Sequence, residues 1–149
     1  MSRIWFVVAP FILSLILLSS CREFFGLDKS DAENDMTLEE VARAIDSEVG
    51  NADATNLSQC KAIPIGDKPC GGPWGYLVYS SQESNEATLQ SLVEKYNELD
   101  RIRNEEEGRM STCDFATEPE LTLSDGACRG LGAYAWNPGK ILKFNGLDP

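Results

Sequence analysis

Apolar residues recur at helical spacing in two stretches of the chain, and the first stretch begins after residue 36. Thr37-Leu38-Glu39-Glu40 matches a capping box, in which the threonine hydroxyl accepts from a free backbone N–H and Glu40 reaches back. Gly50 ends the pattern. We therefore predict a helix between these residues, with apolar positions at Leu38, Val41, Ala42, Ile45 and Val49.

The second stretch is longer and predicts a helix of about twenty residues, or ~30 Å. Ser84 or Asn85 caps it, Glu86 in the first turn suits the helix dipole, and Gly108 ends it. The apolar stripe is narrow and single, which favours packing on a core over binding of a partner. Its positions are Leu89, Leu92, Val93, Tyr96, Leu99 and Ile102.

Shorter apolar runs predict strands. "GYLVYS", residues 75–80, is typical of a strand, and residues 120–123 and 127–131 flank the turn sequence "SDG". "AYAW-NPG-KILKF", residues 133–144, predicts a second hairpin with its turn at "NPG". Together these elements predict an α+β fold in which two helices pack on a small antiparallel sheet.

The start of the chain has a different pattern. Arg3 gives a short positive start, and an apolar run of about 15 residues extends from Ile4 to Leu18, whereas a membrane-spanning helix needs roughly 20. This pattern is typical of a bacterial export signal. The alternative is an uncleaved anchor helix, which the short run and the lack of a basic stop behind it disfavour.

The end of this run, Leu18-Ser19-Ser20-Cys21, resembles the lipobox of bacterial lipoproteins. In that family a diacylglyceryl group is attached to the cysteine thiol, and a peptidase cuts before it where two small residues precede. The resemblance implies that Cys21 begins the mature chain and carries acyl chains, which contribute roughly 0.8 kcal/mol per buried CH₂. Arg22 stands where an Asp would favour the inner membrane, so the expected location is the outer membrane facing the periplasm. An ordinary signal peptide with an unrelated cysteine is the alternative.

The net charge of the chain restricts the kinds of molecule that it can bind. The chain has 13 basic and 24 acidic side chains, for a net charge of −11. The segment 1–20 contains only Arg3, so the mature chain keeps 12 basic against 24 acidic side chains, a net charge of −12. Such a field repels nucleic acid and anionic lipid head groups and favours cationic partners, such as a cationic protein, or metal ions. Solubility in a crowded envelope is the simpler explanation.

The remaining four cysteines are Cys60, Cys70, Cys113 and Cys128, an even number that predicts two disulfides in an exported chain. We expect the pairing Cys60–Cys70 with Cys113–Cys128, whose loops of about ten and fifteen residues contribute roughly 3 kcal/mol each in the chain-entropy model. A bridge from the first pair to the second remains open. A zinc site is disfavoured because the chain contains no C-x-x-C and no histidine. The lack of histidine also excludes Ser–His–Asp and Cys–His catalysis.

The most unusual stretch is "CKAIPIGDKPCGGPWGYLVYS", residues 60–80. Its paired glycines permit positive φ and its prolines fix φ, so the stretch predicts a rigid loop beside a disulfide. Binding residues often lie on such loops. Alternatively, glycine and proline only allow the chain to turn there. The candidate binding residues are Lys68, Pro69, Gly71, Gly72, Pro73 and Trp74.

"PIGDKPCGGPWGYLVYS", "LVEKYNELDRIRNEEEG" and "STCDFATEPELTLSDGACR" together resemble a small family of uncharacterised exported bacterial proteins with four similarly arranged cysteines. The resemblance extends from about Val41 to Arg129. It implies no activity, so no catalytic residues are carried over.

The sequence therefore predicts a signal peptide at 1–20, a lipidated cysteine and tether at 21–36, a disulfide-stapled domain at 37–132, and a C-terminal hairpin or tail at 133–149. Carboxylates are scattered, and the run at 105–107 is typical of a solvated helix face. We expect a membrane-anchored lipoprotein with a non-enzymatic binding or envelope role and no cofactor. The alternative is an inhibitor of a cationic secreted hydrolase such as a lysozyme or a protease.

Overall fold

The computed structural model describes residues 36–144. The predicted signal peptide, Cys21 and the predicted tether lie outside this range, apart from Met36. Within it, the chain forms three α-helices, one short 3-10 helix at Leu57–Gln59 and five strands. The helices are α1 (Leu38–Val49), α2 (Glu86–Glu106) and α3 (Lys140–Phe144); the strands are β1 (Cys60–Ile65), β2 (Gly75–Ser80), β3 (Glu120–Ser124), β4 (Ala127–Leu131) and β5 (Ala135–Trp136).

Both predicted long helices are confirmed. Thr37 caps α1 in a complete capping box with Glu40, and Gly50 follows its last residue. Asn85 caps α2 by accepting a hydrogen bond from the Thr88 N–H. The five predicted apolar positions of α1 are all buried. Within residues 36–144, no helix combines the length and the apolar character that crossing a bilayer requires.

Two small sheets complete the α+β fold. β1 pairs antiparallel with β2, from Cys60 opposite Ser80 to Ile65 opposite Gly75. β5 pairs with the other side of β2 in parallel, so this sheet is mixed instead of wholly antiparallel. β3 and β4 form the second, antiparallel sheet. Their turn has Asp125 and Gly126 at φ of +53° and +77°, the positive values that a two-residue hairpin turn favours.

The structure corrects the description of residues 60–65 as loop. They form strand β1, although Pro64 lies within it. Proline removes one donor from the ladder, and the strand tolerates this loss because β1 is at the edge of its sheet. The loop itself is therefore shorter and comprises residues 66–74.

The predicted C-terminal hairpin is wrong. β5 pairs in parallel with β2, and the residues after "NPG" form helix α3. The Asn137 side chain explains the difference, because it donates to the Gly130 carbonyl at 3.1 Å and accepts from the Gly130 N–H at 2.7 Å. These bonds attach the turn to β4. The Gly139 N–H donates to Asp46 at 3.2 Å, which directs the chain towards α1.

All four predicted cysteines form disulfides, but the expected local pairing is wrong. The bridges are Cys60–Cys128 and Cys70–Cys113. Strand formation separates Cys60 from Cys70, because a six-residue strand is roughly 17–20 Å long and a disulfide needs Cα atoms within about 7 Å. In the same way, β3 lies between Cys113 and Cys128.

Candidate functional site

The candidate site is the loop of residues 66–74, which connects β1 to β2. It is closed by backbone hydrogen bonds: the Trp74 N–H donates to the Ile65 carbonyl at 3.0 Å, and the Lys68 N–H donates to the Gly72 carbonyl at 2.9 Å. Gly66, Gly71 and Gly72 have φ between +81° and +94°. The glycines are thus required by the path of the loop, as the sequence predicted.

Polar side chains of α2 hold the loop in place. The Gly66 N–H donates to Asn97 Oδ1 at 2.6 Å, and Asn104 Nδ2 donates to the Asp67 carbonyl at 2.6 Å. Between them, Asp100 Oδ2 accepts from the Asp67 N–H at 2.9 Å and from the indole N–H of Trp74 at 2.8 Å. The loop is therefore attached to the helix along about two turns.

Asp100 is the central residue of this attachment. Its side chain is fully buried, and Arg103 Nη2 donates to Asp100 Oδ1 at 2.8 Å. A buried carboxylate is tolerated only with a cation and hydrogen bonds around it, and Asp100 has both. The carboxylate is therefore a fixed acceptor for the loop.

Sequence reasoning missed this polar face of α2. The apolar stripe predicted Leu92, Leu99 and Ile102 as core, yet these are only partly buried, while Asp100 and Asn104 are buried. The signal was present in the spacing. Asn97, Asp100 and Asn104 stand three and four residues apart, so they share one face of the helix.

Lys68, a predicted binding residue, is buried with 5% of its surface exposed. Its ammonium donates to the Asp114 carbonyl oxygen and lies 3.6 Å from Asp114 Oδ1. The hydroxyls of Thr112 and Tyr134 also donate to the Asp114 carboxylate. These hydrogen bonds, that of Thr112 first, lower the pKa of Asp114 to about 2. The buried Lys68 side chain therefore attaches the loop to Asp114 and is not available to contact a partner.

The other predicted binding residues divide into two groups. Pro73 and Trp74 are partly buried, and the Trp74 ring lies 5.8 Å from the ring of Phe144 in α3. Pro69, Gly71 and Gly72 are exposed. Pro69, Gly71 and Gly72 can therefore contact a partner directly. Trp74 instead holds the loop against the domain through its contacts with Asp100 and Phe144.

A second exposed segment, residues 110–119, lies beside the loop and was not identified from the sequence. Cys113 joins it to Cys70, and Ser111 Oγ accepts from the Cys70 N–H at 3.1 Å. Met110 is 93% exposed and Phe115 is 89% exposed. We give the name bridged surface to the exposed residues at and next to the Cys70–Cys113 bridge together with Met110 and Phe115; its members are Pro69, Cys70, Gly71, Gly72, Met110, Cys113 and Phe115.

A groove of about 520 Å³ lies between the loop and the C-terminal end of α2. Arg101 in its wall donates to Glu98 and to Glu105, each at 2.7 Å. Burial, with the Asp100 carboxylate next in importance, raises the pKa of Asp67 in the same wall. The Arg101 charge is thus already paired within the protein, and a charged ligand would have to displace these partners.

Within residues 36–144, no group of three or more Asp, Glu or Cys side chains is placed to hold a metal ion. The chain matches no protein-family model, no curated protein and no solved structure.

Proposed function

We propose that the chain is a lipid-anchored protein of the bacterial cell envelope and that its folded domain acts by binding a partner, without catalysis. Cys21 carries the lipid, and the signal peptide directs export. The lipobox and the apolar run before it support this part of the proposal. The bridged surface is the binding surface.

One observation carries the binding role: the loop is fixed before any partner arrives. Asn97, Asp100 and Asn104 hold its backbone, and the Cys70–Cys113 bridge holds its tip. A loop ordered in advance loses little conformational entropy on binding, so more of the contact free energy appears as affinity.

Exposed apolar side chains give this surface something to bind with. Met110 and Phe115 are almost wholly solvent-exposed, on either side of Cys113. Methionine and aromatic side chains are enriched at protein interfaces, where their burial supplies affinity. A protein partner fits these residues better than a small polar ligand does.

The acidic charge favours a second, narrower candidate, an inhibitor of a cationic secreted hydrolase. Glu105, Glu106 and Glu107 are exposed at the end of α2, next to the groove below the loop. A cationic enzyme would be attracted to this end of the domain. A rigid loop can then occupy the active-site cleft of that enzyme without changing its conformation. This candidate is tested separately from the general binding role.

The binding test uses the full chain in detergent, immobilised in its oxidised form. Lysozyme is the cationic probe, and an envelope extract is the general one. We expect Met110→Ser with Phe115→Ser to weaken binding by more than ~1 kcal/mol, since apolar contacts at an interface core are lost. Leu57→Ser is the matched control, because Leu57 is 51% exposed on the 3-10 helix.

Failure of lysozyme and of other cationic proteins to bind at low salt would exclude the inhibitor candidate. Equal binding by the double variant and the wild type would exclude the bridged surface as the binding surface. The anchor is tested with radiolabelled palmitate: we expect incorporation in the wild type and none in Cys21→Ser. No incorporation in the wild type would exclude the lipid anchor.

A further inference from the structure

The two disulfides of the described domain have different surroundings. Cys60 and Cys128 are 5% and 0% exposed, and they join β1 to β4 inside the core. Cys70 and Cys113 are both exposed, and neither lies in a helix or a strand. A thiolate reaches an exposed disulfide faster than a buried one, and exposed disulfides also have higher reduction potentials, so they are reduced more readily at equilibrium. The two bridges therefore differ in how readily a reductant reaches and opens them.

The exposed bridge joins two parts that are held very differently. The loop keeps its attachment to α2 through Asn97, Asp100 and Asn104, none of which involves the bridge. Residues 110–119 contain no helix or strand. Hydrogen bonds to the rest of the domain include those of the Ser111 and Asp114 side chains and that of the Asp114 carbonyl, which accepts from the buried Lys68 ammonium. Opening the bridge would thus affect this segment more than the loop.

We propose that Cys70–Cys113 is a thiol–disulfide exchange site, which a dithiol reductant opens while Cys60–Cys128 stays oxidised. One thiolate of the dithiol attacks one sulfur of the bridge, the Sγ–Sγ bond breaks, and the other sulfur leaves as a thiolate and takes up a proton. The second thiol of the reductant then attacks the mixed disulfide and releases the second cysteine. The reductant ends as a disulfide and the protein as a dithiol, so two electrons and two protons are transferred.

The consequence is a change of the bridged surface. In the oxidised form, Met110 and Phe115 are held within three residues of a covalent link to the loop. In the reduced form, the segment that carries them loses its covalent link and keeps only non-covalent contacts, among them the ion pair of Asp114 with Lys68, while the loop stays on α2. This inference does not depend on the identity of the partner or on the lipid anchor.

The first measurement uses the full chain, isolated oxidised in detergent and equilibrated with defined ratios of reduced to oxidised dithiothreitol. Free thiols are alkylated and located by peptide mass spectrometry. We expect Cys70 and Cys113 to be half-labelled at a ratio at least about tenfold lower than Cys60 and Cys128 require, a difference of about 30 mV. Opening of both bridges at the same ratio, or of Cys60–Cys128 first, would overturn the proposal.

The second measurement tests release of the segment. Half-reduced protein, with Cys70 and Cys113 alkylated, is digested briefly with trypsin. We expect cleavage after Arg109 to be about tenfold faster than in the oxidised protein, because proteolysis follows the population of opened chain. Cleavage after Arg43 in α1 is the control and should not change. An unchanged rate after Arg109 would show that the bridge does not hold the segment.

The Cys70→Ser, Cys113→Ser double variant provides an independent comparison and should reproduce the cleavage pattern of the half-reduced protein. Faster cleavage after Arg43 in this variant would indicate that it has unfolded. The result on the half-reduced wild type would then decide the question.

Discussion

Gly66 begins the loop in a backbone conformation that glycine favours, with φ of +82°. A Cβ atom at this position would collide with the Trp74 ring. We expect Gly66→Ala to lower the free energy of unfolding by roughly 2–4 kcal/mol, from backbone strain together with displacement of the indole. Urea denaturation measures the loss.

Gly71 is the matched control for Gly66. Its φ is +94°, but a Cβ there would meet no atom within 4 Å. Gly71→Ala should therefore cost only the backbone strain, about 1 kcal/mol. Equal losses for the two alanine variants would contradict the proposed packing of Trp74 against Gly66.

The Asp114 carboxylate gives a prediction about pH. Hydrogen bonds from Thr112 and Tyr134 lower its pKa in the folded protein from 3.8 to about 2. A lowered pKa means that the folded state favours the ionised form. Asp114 therefore contributes stability above about pH 4, and this contribution is lost as the pH falls through 2.

Carbon NMR of the Asp114 carboxyl group measures this titration directly. We expect Tyr134→Phe to raise the pKa of Asp114 towards 3.8, because one donor to the carboxylate is removed. Tyr79→Phe is the control, since the Tyr79 hydroxyl donates to Glu86 instead. An unchanged midpoint in Tyr134→Phe would contradict the observed contact.

At the scale of elements, the pairing of the loop with α2 is the contact that defines the site. Asp100→Ala would leave the Asp67 N–H, the Trp74 indole N–H and Arg103 without this buried acceptor. Removing one partner of a buried ion pair typically costs about 3–5 kcal/mol, and we expect a loss of stability in this range. Urea denaturation measures the loss of stability.

Glu98→Ala is the control for Asp100→Ala on the same helix. Glu98 pairs with Arg101 on the solvent side of α2, where water screens the interaction. Its removal should leave the unfolding midpoint unchanged. If the two variants behaved alike, Asp100 would not be the residue that holds the loop.

These elements also show how far the sequence predicts the fold. Periodicity and caps located α1 and α2 correctly, because both signals are local in the chain. The strand at Cys60–Ile65 was missed because Pro64 is tolerated only through the edge position of β1, which is a tertiary property. α3 was mistaken for a strand because Asn137 bonds to Gly130, a contact that periodicity does not reveal.

The sequence predicted only those features of the candidate site that depend on neighbouring residues in the chain. The glycines and prolines of "DKPCGGPW" indicated a fixed loop, which the backbone of residues 66–74 confirms. The burial of Lys68 was not foreseen, since it depends on Asp114 from a segment 46 residues away. Local chemistry is thus readable from the sequence, whereas the inward or outward orientation of a side chain is set by distant parts of the chain.

At the scale of the whole molecule, the disulfides connect parts that are distant in sequence. Cys60–Cys128 spans 68 residues and Cys70–Cys113 spans 43. Each such loop reduces the entropy of the unfolded chain by an amount worth roughly 4 kcal/mol, more than the expected local loops would supply. The pairing therefore ties the β1–β2 hairpin to the β3–β4 hairpin and to the segment that precedes it.

A non-reducing tryptic digest tests this pairing, because the basic residues cut the chain between the cysteines. Trypsin produces fragments 44–61, 62–95 and 110–129, since Pro69 protects the bond after Lys68. The observed pairing predicts one species of all three fragments. Pairing of Cys60 with Cys70 would instead leave fragment 110–129 separate with its own internal bridge. A further cut after Glu120, by a protease specific for glutamate, separates Cys113 from Cys128. It should give Cys60 linked to Cys128, and Cys60 linked to Cys113 would contradict the fold.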